Sequence, residues 1–307
     1  MDLIKETKKF QNYFADLQKR ITTTFTKQDS TCKLIEDNWQ EHENRYGKSC
    51  VLQPGNLIES AAINVSYIRE KQLPAAATLK RPALRNSNFV VTGISVICHP
   101  KNPYAPTSHL NLRIFAAFPK DAEAVWWTGG GFDLTPYYGF KEDCRYWHNM
   151  AKDACDKFDK NLYADFKKRC DDYFFLPHRN ETRGIGGIFF DDFKLNEPSC
   201  TNTFDFIQAI GETYLTAYST ILEKRIHTPF TKQQRDFQLY RRGRYVEFNL
   251  LHDRGTLFGL QSNGRTESIL SSMPPKVIWK YNWHPQQNSE EAKLYTEFLR
   301  IQDWVNS

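Results

Sequence analysis

Apolar residues recur at helical spacing over residues 3–26, where Ile4, Phe10, Phe14, Leu17, Ile21 and Phe25 are separated by Lys and Asp. That spacing predicts an amphipathic helix at the start of the chain. Residues 88–99 (NFVVTGISVICH) are β-branched and predict a strand, followed by the Pro-rich loop HPKNPYAPTS. At His109 the pattern becomes a strict alternation: His109, Asn111 and Arg113 at odd positions, Leu110, Leu112 and Ile114 at even ones. Successive side chains of a strand point to opposite faces, so this run has one apolar and one polar face. The two strands are expected to form an antiparallel pair with a wide connection. The run Thr128-Gly129-Gly130-Gly131 is expected to break the chain as a tight turn and to present Asp133 from it.

Further along, residues 141–175 predict helix in one kinked or two separate pieces, and 203–224 predict another with Phe204, Ile207, Ile210, Tyr214, Ala217 and Ile221 on one stripe. The capping box Thr231-x-x-Gln234 starts a helix expected to stop near Gly243. Strands are expected at 244–251 and 256–261, joined by the turn residues Asp253-Arg254-Gly255, and at 277–281. A final helix would carry Leu294, Phe298, Ile301 and Val305. Hairpin-like strand neighbours with long terminal helices favour an α+β fold with an antiparallel sheet over a doubly wound parallel one. No repeat or low-complexity linker divides the chain, so a single domain over 1–307 is expected.

Composition narrows the chemistry. A net charge of +5 suits an acidic small molecule, but without a dense Lys/Arg stripe it gives no case for nucleic acid. Seven scattered cysteines (32, 50, 98, 144, 155, 170 and 200) never form C-x-x-C, which points to reduced thiols in a cytoplasmic protein. The first residues do not read as a secretory leader, and no membrane-spanning segment is expected. The glycine runs at 129–131 and 184–187 lack the Lys and Ser/Thr of a P-loop and the spacing of a dinucleotide fingerprint.

Three groups of residues are candidates for function. The polar face of the 109–113 strand, if it is not simply a solvated face, offers an imidazole, an amide and a guanidinium, groups suited to moving a proton and holding a carboxylate. Asp133 reads either as a turn or cap residue or as a presented carboxylate. His99, His109, His148 and His178 are potential metal ligands, although their intervals match no local ligand pattern and His148 reads individually as a packed residue. Asp191-Asp192, after the apolar Ile188-Phe189-Phe190, could bind a metal or simply end a strand, and the second reading is favoured.

Taken in order, several blocks resemble the oxygen-dependent coproporphyrinogen III oxidase family. They are His99-Pro100-x-Asn102-Pro103-Tyr104, His109-x-Asn111-x-Arg113, Trp126-Trp127-Thr128-Gly129-Gly130-Gly131-Phe132-Asp133-Leu134-Thr135-Pro136, and Pro177-His178-Arg179. Arg183 through Asp192, Tyr245-Val246-Glu247-Phe248-Asn249, Asp253-Arg254-Gly255-Thr256 and Gly264-Arg265-x-Glu267-Ser268 continue the series, which covers about residues 50–283. Thr128 stands where an aromatic is common, and Asn263 where Gly is frequent.

The resemblance implies oxidative decarboxylation of two propionates of coproporphyrinogen III to vinyl groups, with dioxygen as co-substrate and no organic cofactor. It implies catalytic roles for His109, Asp133 and Arg113. Substrate contacts would come from Ser95, Asn111, Arg113, Asp133, Asn263, Gly264 and Arg265, with Asp133 accepting pyrrole N–H groups and His109 donating a proton. It also implies a large flat antiparallel sheet covered on both faces by helices, a homodimer through roughly residues 244–280, and in some members Mn2+ on His99, His109, His148 and His178. A non-catalytic tetrapyrrole binder and a metal-dependent hydrolase are the rival classes. Only the oxidase would form vinyl groups while consuming oxygen.

Overall fold

The N-terminal apolar stripe forms helix α1 (Leu3–Gln28), whose first turn is capped by the Asp2 carboxylate accepting from the Ile4 and Lys5 amides. A computed structural model describes residues 2–72, 81–195, 200–261 and 264–306. Seven strands make one antiparallel sheet: β1 (Lys33–His42), β2 (Arg45–Gln53), β3 (Ile58–Glu70), β4 (Asn88–Pro100), β5 (Thr107–Phe118), β6 (Val125–Thr135) and β9 (Gly186–Phe193), in that spatial order. A two-stranded ribbon, β7 (Phe175–Leu176) with β8 (Glu181–Thr182), precedes the last of them. The expected pairing of β4 with β5 is present, with Ile97 opposite His109 and Ser95 opposite Asn111.

One face of the sheet carries the main core. Leu110, Leu112 and Ile114 of β5 lie with Ile63, Val96, Phe132 and Ile188 in a single apolar cluster that runs from Leu3 to Trp304. Helix α1 and the long α4 (Cys200–Arg225) pack on that face, joined by α2 (Lys141–Asp156) and α3 (Leu162–Tyr173). Burying each large aliphatic or aromatic side chain there stabilises by roughly 1.5–3 kcal/mol, which makes the even-numbered face of β5 a structural surface. The odd-numbered face is covered by α5 (Lys232–Leu251), whose Tyr245 packs on Ala62 and Ile97, and by α7 (Thr266–Leu270), whose Ser268 hydroxyl meets that of Ser49 at 2.9 Å. The fold is therefore α+β with helices on both sheet faces, as expected.

Several expectations about elements are corrected. The glycine run is no turn: Gly129–Gly131 lie within β6, and Asp133 is a strand residue two positions further on. Residues 244–251 are not a strand but the second half of α5, which starts at the expected Thr231–Gln234 capping box and continues through Gly243, against which Trp279 packs. The stretch 256–261 belongs to helix α6 (Arg254–Gln261), and 277–281 is irregular. Tyr-x-Glu-x-Asn at 245–249 imitates strand alternation, yet Arg241, Tyr245 and Phe248 are buried at helical spacing. The C-terminal helix is one α turn, α8 (Glu290–Lys293), followed by a π turn at Leu294–Phe298. It buries Leu294 and Phe298 but leaves Ile301 exposed.

Candidate active site

Strand register assembles the site. Asp37, Ser49, Asn64, Ser95, Asn111 and Gly131 are successive cross-strand partners, so a row of small and polar residues crosses five strand boundaries on the odd-numbered face. His109 lies between Ile97 and Asp133, and Arg113 lies between Gly93 and Gly129. The glycines leave room for the guanidinium: a Cβ on Gly129 would stand 2.8 Å from Arg113 Nη2.

Asp133 is the electrostatic centre. His109 Nδ1 donates to its Oδ1 at 3.0 Å, and Arg183 Nη2 donates to Oδ1 and Oδ2 at 2.8 and 2.7 Å. Both the Asp133 and Arg183 side chains are only 2 % exposed. Arg183 is enclosed by the rings of Phe174, Tyr245 and Phe248, its guanidinium carbon 4.2, 4.6 and 4.7 Å from their centroids, and its Nη1 donates to Asn249 Oδ1. Burial works against ionisation of Asp133, but Arg183 and His109 outweigh it and hold the carboxyl below its usual range. A carboxylate has about four acceptor positions, and protein donors take three here, so Asp133 retains one. With Nδ1 bound to Asp133, the His109 ring keeps Nε2 without a protein partner among the described residues, on a side chain 26 % exposed.

Around this pair lie Arg113 and three charged groups, Asp191, Asp253 and Arg254, that motif reading left without a role. Arg113 donates from Nη1 to Asn111 Oδ1 at 3.2 Å and from Nη2 to Asp191 Oδ1 at 2.8 Å. Arg254 Nη1 lies 3.6 Å from Asp191 Oδ2 and packs over Tyr173 and Phe189. Asp253 caps α6 through Thr256 and accepts from the Tyr173 hydroxyl at 2.7 Å. Burial opposes its ionisation, while these hydrogen bonds and the nearby His109 hold its pKa down. A depression of about 440 Å³ opens beside these groups, lined by Tyr173, Phe189, Asp191 and Arg254.

The other expected residues are placed as follows. Ser95 is half-buried opposite Asn111. Arg265 forms an ion pair with Asp37, at the far end of the polar row from Asn111, and the Gly264 amide donates to the Gly259 carbonyl at 2.7 Å. Asn263 lies outside the described residues. Four strand spacings separate β1 from β5, about 19 Å, so Arg265 and Arg113 mark opposite ends of one long surface.

The four histidines do not fit a shared metal centre. Among the described residues no group of three or more His, Cys, Asp or Glu is arranged to hold a metal ion. His99 donates from Nε2 to the Ser272 carbonyl and meets the Thr107 hydroxyl through Nδ1, while His148 donates to the Ile185 carbonyl and meets the Tyr163 hydroxyl. Burial pushes both imidazoles down to about 3. They are neutral, but each lone pair is already engaged. His178 donates from Nε2 to Glu247 and meets His252 Nε2 through Nδ1 at 3.2 Å, and His109 Nδ1 is committed to Asp133.

A family model described as coproporphyrinogen III oxidase matches residues 9–304. The chain belongs to that family. Two relatives named oxygen-dependent coproporphyrinogen-III oxidase, from Coxiella burnetii strains Dugway 5J108-111 and RSA 493 / Nine Mile phase I, are each 50% identical to it over 294 residues. The match covers 96% of this chain and 94% of each relative. Set against this coproporphyrinogen III oxidase background, Arg183 is the main residue that sequence reasoning overlooked. Its only local signal is its place directly before the second glycine run, and its partner Asp133 lies 50 positions earlier.

Proposed function

We propose that the chain catalyses aerobic oxidative decarboxylation of two propionates of coproporphyrinogen III to vinyl groups, giving protoporphyrinogen IX, carbon dioxide and hydrogen peroxide. Dioxygen is the co-substrate and the product feeds porphyrin synthesis. Beyond family membership, the observation that carries this reading is the His109–Asp133–Arg183 array set beside Arg113 on one sheet face.

In each half-reaction the carboxylate leaves as carbon dioxide, a β-carbon C–H bond breaks and a C=C bond forms. Dioxygen takes up the two electrons released, one proton from the β-carbon and one proton from elsewhere, becoming hydrogen peroxide. His109 supplies that proton from Nε2; the bond from its Nδ1 to Asp133, which leaves Nε2 without a protein partner among the described residues, supports this role. Arg113 and Arg265 bind propionates at two ends of the macrocycle, and Ser95, Asn111, Gly264 and Asn263 contribute polar contacts. Asp133, buried and already accepting three hydrogen bonds, acts chiefly through His109 and offers a single pyrrole N–H its remaining lone pair. No step is routed through a metal, since both ring nitrogens of His99 and His148 are spent on protein partners.

Residues 1–307 are read as one catalytic domain. Exposed Leu250, Leu251, Leu260, Leu270, Ile278 and Trp279 support a homodimer interface within about residues 244–280. Sedimentation of the protein as a monomer at working concentration would contradict it. Among the described residues, six free cysteines support a reducing, cytoplasmic setting, and no helix is long and apolar enough to cross a membrane. Incubation with coproporphyrinogen III in air, then oxidation and detection of protoporphyrin fluorescence, tests the activity. Bound but unaltered substrate would make the chain a tetrapyrrole-binding protein instead.

A further inference from the structure

The cation expected to hold a substrate propionate already has a carboxylate. Arg113 donates to Asp191 Oδ1 at 2.8 Å, and Arg254 stands 3.6 Å from the other oxygen of the same group. One Asp thus lies between two guanidiniums, and three features show that this placement is built. The ladder between β6 and β9 shifts register: Thr128 pairs with Phe193 but Gly130 with Phe190, so β9 carries an extra residue. Bulges of this kind re-aim side chains. Asp192 adopts a φ of 54°, a left-handed conformation that Asp tolerates better than most residues, and its carboxylate turns to Arg81 at 2.7 Å. Gly129 lies opposite, where a Cβ would stand 2.8 Å from both Arg113 Nη2 and Asp191 Oδ1. The Arg113–Asp191 pair therefore occupies space that a side chain at position 129 would deny it.

We propose that Asp191 is a resident carboxylate which the substrate's propionate displaces from Arg113, and which returns when that propionate is lost. The proposal rests on the function given above. Bidentate binding of a carboxylate needs two parallel N–H groups of one guanidinium, and Nη1 and Nη2 of Arg113 are both engaged, by Asn111 and Asp191. A propionate that takes the Nη1–Nη2 edge displaces one of them, and Asp191 has Arg254 beside it to receive its charge. The pair is partly exposed, 35 % for Arg113 and 23 % for Asp191, so exchange requires no opening of the core. Decarboxylation converts the bound propionate to a neutral vinyl group and leaves Arg113 without a counter-charge. Asp191 then takes the guanidinium back, and the half-reacted tetrapyrrole is free to turn and present its second propionate.

Asp191→Asn keeps the side-chain shape and removes the competing charge. Titrated with coproporphyrinogen III without oxygen, this variant should bind about fivefold more tightly than wild type, and Asp191→Glu should bind like wild type. In air, Asp191→Asn should turn over more slowly and accumulate the intermediate with three propionates. A residue that only holds Arg113 in position gives the opposite sign, weaker binding by the variant. Weaker or unchanged binding overturns the proposal, as does failure of both Asp191→Asn and Asp191→Ala to fold. If wild type binds the tetracarboxylate but forms no vinyl product, the proposed function falls, while the comparison of dissociation constants still decides the part played by Asp191.

Discussion

His109 and Asp133 face each other across the β5–β6 ladder, and the imidazole Nδ1 donates to the carboxylate over 3.0 Å. Backbone register sets this distance, so the tautomer and ring orientation of His109 are fixed before substrate arrives. Replacement by Gln retains a polar side chain but cannot donate the proton that each half-reaction consumes. His109→Gln should lower kcat by roughly 10²–10⁴-fold with a smaller change in KM. Steady-state kinetics under air would show it, and a kcat equal to wild type would remove His109 from the mechanism.

Arg183 neutralises Asp133 where neither side chain meets solvent. Removing one partner of such a pair strands a buried charge, so Arg183→Leu should cost about 3–5 kcal/mol in urea unfolding. Arg183→Leu combined with Asp133→Leu should cost less than the two single changes summed. Additive costs would mean that the pair does not interact.

Two buried histidines set the acid limit of the fold. His99 and His148 are held neutral, with pKa values pushed down to about 3 by burial, and regain about 6.5 on unfolding. Between those values the unfolded chain binds more protons, so stability is complete above pH 6.5 and falls as the pH drops toward 3. The slope is about 1.4 kcal/mol per pH unit for each histidine. Urea midpoints followed from neutral pH down to about pH 5 should show the loss, and His148→Gln should reduce the slope by one histidine's share. A flat profile would contradict the neutral, buried assignment.

Exhaustive chelation should leave activity unchanged, because His99 and His148 already use both ring nitrogens within the protein. Elemental analysis of the treated protein alongside turnover checks this. Loss of turnover that is restored by Mn2+ would show that the histidines rearrange to take a metal.

Where local periodicity dominates, the chain was legible. Helix α1, strands β4 and β5, the Thr231–Gln234 cap and the two-faced character of 109–113 all follow from short-range pattern. What was not legible depends on neighbours distant in sequence. Gly129–Gly131 read as a turn because what crowds them lies on two other strands: Arg113 and Asp191 at Gly129, Asn111 and Leu112 at Gly130, Ile188 and Phe189 at Gly131. Asp133, expected on a tight turn, is buried because Arg183 comes to it inside an aromatic box drawn from the β7 region and α5. Counting histidines could not reveal that Thr107, Ser272, Tyr163 and Ile185 had already claimed two of them.

The most direct test follows oxygen uptake, peroxide and vinyl formation in one reaction with coproporphyrinogen III. One dioxygen should be consumed and one peroxide formed for each vinyl group, with neither appearing when oxygen is withheld. Vinyl formation without oxygen, or oxygen uptake without vinyl groups, would contradict the oxidase assignment.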